Sequence, residues 1–271
     1  MLITYAAIGL VSLGVSALTL FSGFGLGTLL MPVFALFFPM PVAVASTAAV
    51  HGANSLFKTG LLHAHAKRRL LVIFGLPAIA AAFIGARLLT ILSDRAVLFA
   101  WAVGVRRFEV TPVKLAVGIL IVGFDAIELV PRLRSLRAPA RWLPLGGALS
   151  GFFGGLSGHQ GALRAAFLSP LGLSPHEFAA TQAILACMVD AARLVVYGTS
   201  FAFAASDIAG GAGGAAGARI DWPLVGFATI CAFAGALVGK WLLPKVTVGA
   251  VRTLTGALLL IVGTALAVGV V

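Results

Sequence analysis

Apolar runs long enough to cross a bilayer recur along this chain, each closed by a short polar or basic stretch. A hydrocarbon core of about 30 Å takes about 20 helical residues. The first run, residues 3–38, is longer than that: as one straight helix it would measure about 54 Å. It is interrupted by Ser22-Gly23-Phe24-Gly25-Leu26-Gly27 and closed by Pro39-Met40-Pro41, so it must tilt, kink or fold back. The pattern predicts further helices at about 42–62, 70–92, 113–129, 142–173, from 174 onward, 222–243 and 246–268. A less apolar insert occupies residues 93–112, and the Gly/Ala-rich residues 204–218 read as a flexible loop.

The fifth run repeats the interruption as Gly154-Gly155-Leu156-Ser157-Gly158-His159-Gln160-Gly161-Ala162-Leu163-Arg164. Glycine lets a helix stop and brings its peptide groups against a small solute. In a bilayer such irregular backbone is tolerated only inside protein or beside a watery cavity, since unpaired N–H and C=O groups cost several kcal/mol each. Two helices carry polar stripes. Thr47, His51, Asn54 and Lys58 share one face of the second run, and Gln182, Ala186, Asp190, Arg193 and Tyr197 share one face of the sixth. Such stripes face protein or water rather than lipid, and helix-to-helix hydrogen bonding is their plainer use. Asp190 and Arg193 are spaced to pair, a structural alternative to any functional role. The sixth helix has the clearest start: Ser174-Pro175-His176-Glu177 is a capping box with Pro in the first turn.

Composition narrows the class. The chain has 271 residues, of which 61% are hydrophobic and 10% charged, the balance of an integral helical membrane protein. Its net charge of +11 would point to nucleic acid in a soluble protein. Here the basic residues sit mostly in short loops, which the positive-inside rule and anionic lipid explain without nucleic acid. Residues 2–20 lack the basic start of a signal peptide and read as mature protein. Cys187 and Cys231 lie singly in apolar runs as packing residues. His63 and His65 lack a third ligand and belong to a basic loop with Lys67, Arg68 and Arg69, so no metal is expected.

The spacing from Gly27 to Gly161 recurs between Pro41 and Pro175 and between Thr47 and Thr181. One offset met three times argues for duplication. The expected fold is an all-α polytopic membrane protein of two related halves, about four hydrophobic segments each, the first segment of each broken at glycines. The halves are residues 1–130 and 142–271, joined by a basic linker at 131–141. Full crossings by the broken segments would make the halves parallel, and re-entrant hairpins would make them inverted. Charge favours inversion: it gathers Lys67, Arg68, Arg69, Arg132, Arg134, Arg137, Arg141, Lys245 and Arg252 on one side, against Arg95, Arg106, Arg107 and Arg219.

The break-and-helix units, Ser22 to Gly27 with Met31-Pro32 and Pro41-x5-Thr47, then Gly154 to Gly161 with Pro170 and Pro175-x5-Thr181, resemble those of the sulfite exporter TauE/SafE family. That resemblance covers nearly the whole architecture. It implies a permease or exporter of sulfite, sulfonates or other organosulfur acids, in the plasma (inner) membrane of a prokaryote, with no prosthetic group. The family's consecutive glycines in the second break are replaced here by Ser157-Gly158-His159-Gln160-Gly161 followed by Arg164, so the lining has changed.

The partner expected is therefore a small anion, held between the repeats. Half-helix ends offer N–H groups to an oxyanion, and the Arg164 fork supplies charge-assisted hydrogen bonds. Ser22, Gly23, Gly25, Ser157, Gly158, His159 and Gln160 would complete the contacts, with Thr47, Asn54, Thr181 and Gln182 bordering the cavity. His159, His51 and Asp190 are the candidates for proton coupling. A structural His159 and an interfacial, snorkelling Arg164 are the alternatives. The rival functions are an intramembrane enzyme with a His base, against which no nucleophile motif, HExxH or carboxylate pair is present, and a passive anion channel. Lipid is the other partner, and a homo-oligomer stays open.

Overall fold

The second interruption read from the apolar pattern divides its run into two helices. The computed structural model describes residues 2–18, 26–129, 139–209, 220–242 and 248–270. The first run becomes α1 (Leu2–Leu18) and α2 (Leu26–Ala35). Ser22, Gly23 and Gly25 of the first break lie outside the described residues, as do 131–138 of the basic linker. Pro39 and Pro41 begin α3 (Met40–Leu62). A 3-10 turn at His63–His65 leads to α4 (Arg68–Ile73), which Phe74 joins to α5 (Gly75–Ser93).

The insert at 93–112 contains a feature that the all-α expectation lacks. β1 (Phe99–Val103) and β2 (Arg106–Val110) form an antiparallel hairpin, Val103 facing Arg106 and Phe99 facing Val110. The alternation of Phe99, Trp101 and Val103 fits a strand, but five residues are too few to stand out beside long apolar runs. Trp101 Nε1 donates to the Val268 carbonyl at 2.7 Å, tying the hairpin to the chain's last helix.

Then follow α6 (Pro112–Leu129), α7 (Leu143–Ser157), α8 (Gly161–Leu168), α9 (Pro175–Ala209), α10 (Trp222–Leu242) and α11 (Val248–Ala267). The capping box is made at both ends. Ser174 N donates to Glu177 Oε2 at 3.0 Å, and Glu177 N donates to Ser174 Oγ at 3.3 Å. The expected loop at 204–218 is corrected in part: 204–209 are the last residues of α9, whose alanines favour helix, and 210–218 lie outside the described residues.

Three helical stretches are long and apolar enough to span a bilayer, Arg68–Ser93, Pro175–Ser200 and Trp222–Gly239. Large apolar side chains such as Leu10, Ile84, Ile119, Ile230 and Ile261 point outward, as a lipid-facing surface requires. Inside, small residues replace them. α5 lies along α7 so closely that a Cβ on Gly147, Gly151 or Gly155 would overlap the carbonyls of Phe74, Ala78 and Ala82. α1 lies along α10 in the same way, with Gly235 and Gly239 against the Leu13 and Ala17 carbonyls. Without a hydrophobic force between helices in lipid, such backbone approach is what holds them. α3 packs on α9 and α6 on α11, so every one of these four seams joins an early helix to a late one.

Candidate functional site

α7 stops at Ser157 because Gly158 turns left-handed, with φ +85°, and its N–H closes on the Gly154 carbonyl at 2.9 Å. A side chain would strain this backbone. Two residues later the chain restarts as α8. Gly27, in the first turn of α2, meets this turn: a Cβ built on it would lie 3.4 Å from the Gly158 oxygen and 3.2 Å from the His51 ring. The last residue of the first break thus touches the second, with His51 beside them.

Around that junction the two polar stripes close into one network. Asp190 of α9 accepts hydrogen bonds from three side chains. His51 Nδ1 is 2.6 Å from its Oδ2, while Gln160 Nε2 and Arg193 Nε donate to Oδ1 at 3.0 and 2.9 Å. Arg193 Nη2 lies 2.7 Å from the same oxygen, and Nη1 donates to the Gly154 carbonyl at 3.3 Å. Tyr197 donates to the Gly155 carbonyl. Ser150 of α7 reaches across the turn and donates to the Gln160 carbonyl at 2.9 Å.

Arg164 extends the network away from Asp190. Its Nη1 donates to Gln160 Oε1 at 2.9 Å and its Nε to Gln182 Oε1. Arg164 and Arg193 are 2% and 0% exposed, so neither snorkels to an interface. Arg193 has a carboxylate, whereas among the described residues Arg164 is held by the amide oxygens of Gln160 and Gln182. Among the described residues Gln182 Nε2 is buried with no acceptor. Arg164 and the Gln182 amide thus gather buried hydrogen-bond donors beside the second break.

The break borders a narrow pocket lined by Thr28, Phe124, Asp125, His159, Ala162 and Leu259. His159 Nδ1 stands 3.2 Å from the Ser157 carbonyl and 3.1 Å from Ser157 Oγ, and its ring stacks parallel to Phe124.

The residues expected from the pattern divide accordingly. Gly158, Gln160, Arg164, Gln182, His51 and Asp190 come together, while His159 lines the narrow pocket. Ser157 Oγ donates to the Phe153 carbonyl at 3.1 Å and neighbours His159. Asn54 is buried and accepts from Ser16 of α1 at 3.3 Å, serving the α1–α3 contact. Thr47 is buried with its hydroxyl unpartnered among the described residues. Thr181 does not join the network: it accepts the Lys67 N–H at 3.1 Å and fastens the basic loop to α9. Asp190 and Arg193 do pair. Asp125 is the ionisable residue the pattern missed; it stands in an apolar stretch with no polar stripe to mark it, and its one signal is a carboxylate at spanning depth.

A family model described as Sulfite exporter TauE/SafE matches residues 8–266 of the chain. No curated protein and no solved structure matches it.

Proposed function

We propose, from the premise that the chain belongs to the sulfite exporter TauE/SafE family, that it carries a small sulfur oxyanion, sulfite or a sulfonate, through the junction of its two glycine breaks. The family is one of multi-pass membrane permeases and exporters of sulfur anions, which supports a chain that moves its solute. The observation that carries the finer reading is Arg164, a buried guanidinium whose partners among the described residues are amides, beside a Gln182 Nε2 that has no acceptor among them. An anion entering there meets a positive charge already desolvated and oriented, and fills a donor otherwise unsatisfied. Gly27 and Gly158 leave the backbone bare at the same place, so N–H groups at the start of α8 can close on the bound oxygens.

His51 and Asp190 would couple that site to protons. A hydrogen bond of 2.6 Å joins them, and a change in the charge of His51 alters the field around Arg193 and Gln160 at once.

The helix pairing supports two repeats, 1–130 and 142–271, linked by 131–141. Exchanging them sends α1 to α7, α3 to α9, α5 to α10 and α6 to α11. The α1–α10 seam then becomes the α7–α5 seam, while the α3–α9 and α6–α11 pairs map onto themselves. With the positive charge gathered mainly on one side, the inverted arrangement in a prokaryotic plasma membrane is the one we adopt.

Purified protein in liposomes tests the reading. Sulfite, sulfate, sulfoacetate, taurine and simple carboxylates are offered to native protein and Arg164→Ala. Saturable entry of a sulfur anion, lost in the variant, is the expected result. Entry that rises without saturation would mark a channel, chemical conversion of the solute an enzyme, and no entry by folded protein would end the assignment of substrate class.

A further inference from the structure

The narrow pocket beside the break has the opposite polarity to the donors around Arg164. Asp125 and His159 are each 2% exposed. Among the described residues, both oxygens of Asp125 and Nε2 of His159 are without a hydrogen-bond partner. The Ser157 carbonyl can only accept, so a neutral His159 keeps its hydrogen on Nδ1 and presents a lone pair at Nε2. The pocket therefore collects three buried acceptors, and Thr28 is the one lining residue that brings a side-chain donor of its own. Acceptors without donors do not receive an anion; they receive something that supplies hydrogen.

The smallest such ligand is a proton. Asp125 as the carboxyl acid donates and His159 Nε2 accepts, which leaves the neutral carbonyl oxygen of the carboxyl as the one acceptor still open among the three. The buried charge gives this a consequence. Among the described residues Arg164, Arg193, Asp190 and Asp125 are buried charged side chains, with Lys58 and His51 partly buried. A proton on Asp125 shifts the balance of this set by one positive charge, the complement of one singly charged oxyanion.

No other described charge competes for Asp125. α2 and α11 bring Thr28 and Leu259, and α7 has no titratable residue. Arg87 of α5 is exposed, Lys114 of α6 donates to the Glu109 carbonyl at 3.4 Å, and Arg164 of α8 is engaged by Gln160 and Gln182. The side chains of Glu128 on α6 and Arg252 on α11 lie outside those described.

We propose that Asp125 and His159 form a proton-binding site beside the second break, and that its loading is linked to anion occupancy at Arg164. A proton from water turns the Asp125 carboxylate into the carboxyl, whose O–H donates to His159; on release that O–H bond breaks and the proton returns to water. The linkage rests on the anion-carrier reading, whereas the proton site does not.

Infrared difference spectroscopy of the protein in lipid, titrated with acid in a choline buffer without sulfite, tests the site directly. The expected result is a deuterium-sensitive carboxyl C=O band that rises on acidification and falls to background in Asp125→Asn. Absence of the band from native protein, or its persistence in Asp125→Asn, overturns the site. Should Asp125→Asn fail to fold, Asp125→Glu must shift the band. His159→Gln should also shift it, and an unmoved band removes His159 from the site. Loss of the band when sodium replaces choline at fixed pH would make the ligand a metal cation and overturn the proton assignment. Sulfite should raise the band at fixed pH; no rise in protein that transports sulfite overturns the linkage. A band in protein that transports none keeps the proton site and sinks the carrier reading instead.

Discussion

Arg193 sits one turn beyond Asp190 on α9 and is neutralised by it, with Nη2 2.7 Å and Nε 2.9 Å from the same carboxylate oxygen. The second buried guanidinium, Arg164, has no such partner among the described residues and is held by Gln160 and Gln182. Two cations at one break thus have different surroundings: one joins Asp190 and the Gly154 carbonyl, and the other joins two side-chain amides.

If the Asp190–Arg193 pair is structural, removing either member alone strands the other. Asp190→Leu should cost about 3–5 kcal/mol of stability. The double variant Asp190→Leu/Arg193→Leu should cost less than the sum of the singles, with a coupling of about 1–3 kcal/mol. Denaturation of the four proteins in detergent measures this, and strictly additive losses would dissolve the pair.

Arg164→Ala should act on transport. Charge-assisted hydrogen bonds contribute about 1.5–3 kcal/mol, so the rate of sulfite uptake at low concentration should fall at least about tenfold. Uptake kinetics in liposomes give the answer, and native rates in the variant would assign Arg164 to structure.

Gln182→Glu separates holding Arg164 from binding solute. The carboxylate still accepts from Arg164 Nε and adds an ion pair, so the melting temperature should hold or rise. It also replaces the unpartnered amide donor with a negative charge and cancels the charge of Arg164. Uptake should therefore collapse while the fold is kept. A variant that melts early yet transports normally would reverse both assignments.

Gly151→Ala pushes a methyl into the Ala78 carbonyl across the α5–α7 seam and should destabilise by about 1–3 kcal/mol. Gly226→Ala meets nothing within 4 Å. It should be neutral or gain up to about 1 kcal/mol from helix propensity. Thermal melts of the two side by side test the seam; equal melting temperatures would refute it.

Much of this architecture could be read in advance, because long apolar runs, Gly-rich breaks and a capping box each have a local cause. That His51 and Asp190 each lie on a polar helix face followed from helical periodicity, and the Asp190–Arg193 pair from a spacing of three. What periodicity does not carry is which stripe residue meets which neighbour. Thr181 and Gln182 are adjacent in sequence, yet the first fastens Lys67 and the second holds Arg164, because consecutive helical side chains diverge by about 100°. Asp125 was invisible for the same reason in reverse: a lone carboxylate has no period, and its meaning comes only from α8 folding back to set His159 in the same pocket.

The seam between α1 and α10 also bears on how the protein is made. Leu13 finds Gly235 only after more than two hundred further residues have left the ribosome. At about 5–20 residues per second, that is a delay on the order of ten to forty seconds. Throughout it the first helix lies in the bilayer with its packing groove unfilled, and so does the surface of α5 until α7 is synthesised. Assembly is therefore a late event that clasps early helices with late ones, and a nascent chain stalled before residue 222 should be inserted in the membrane yet remain open to proteolysis.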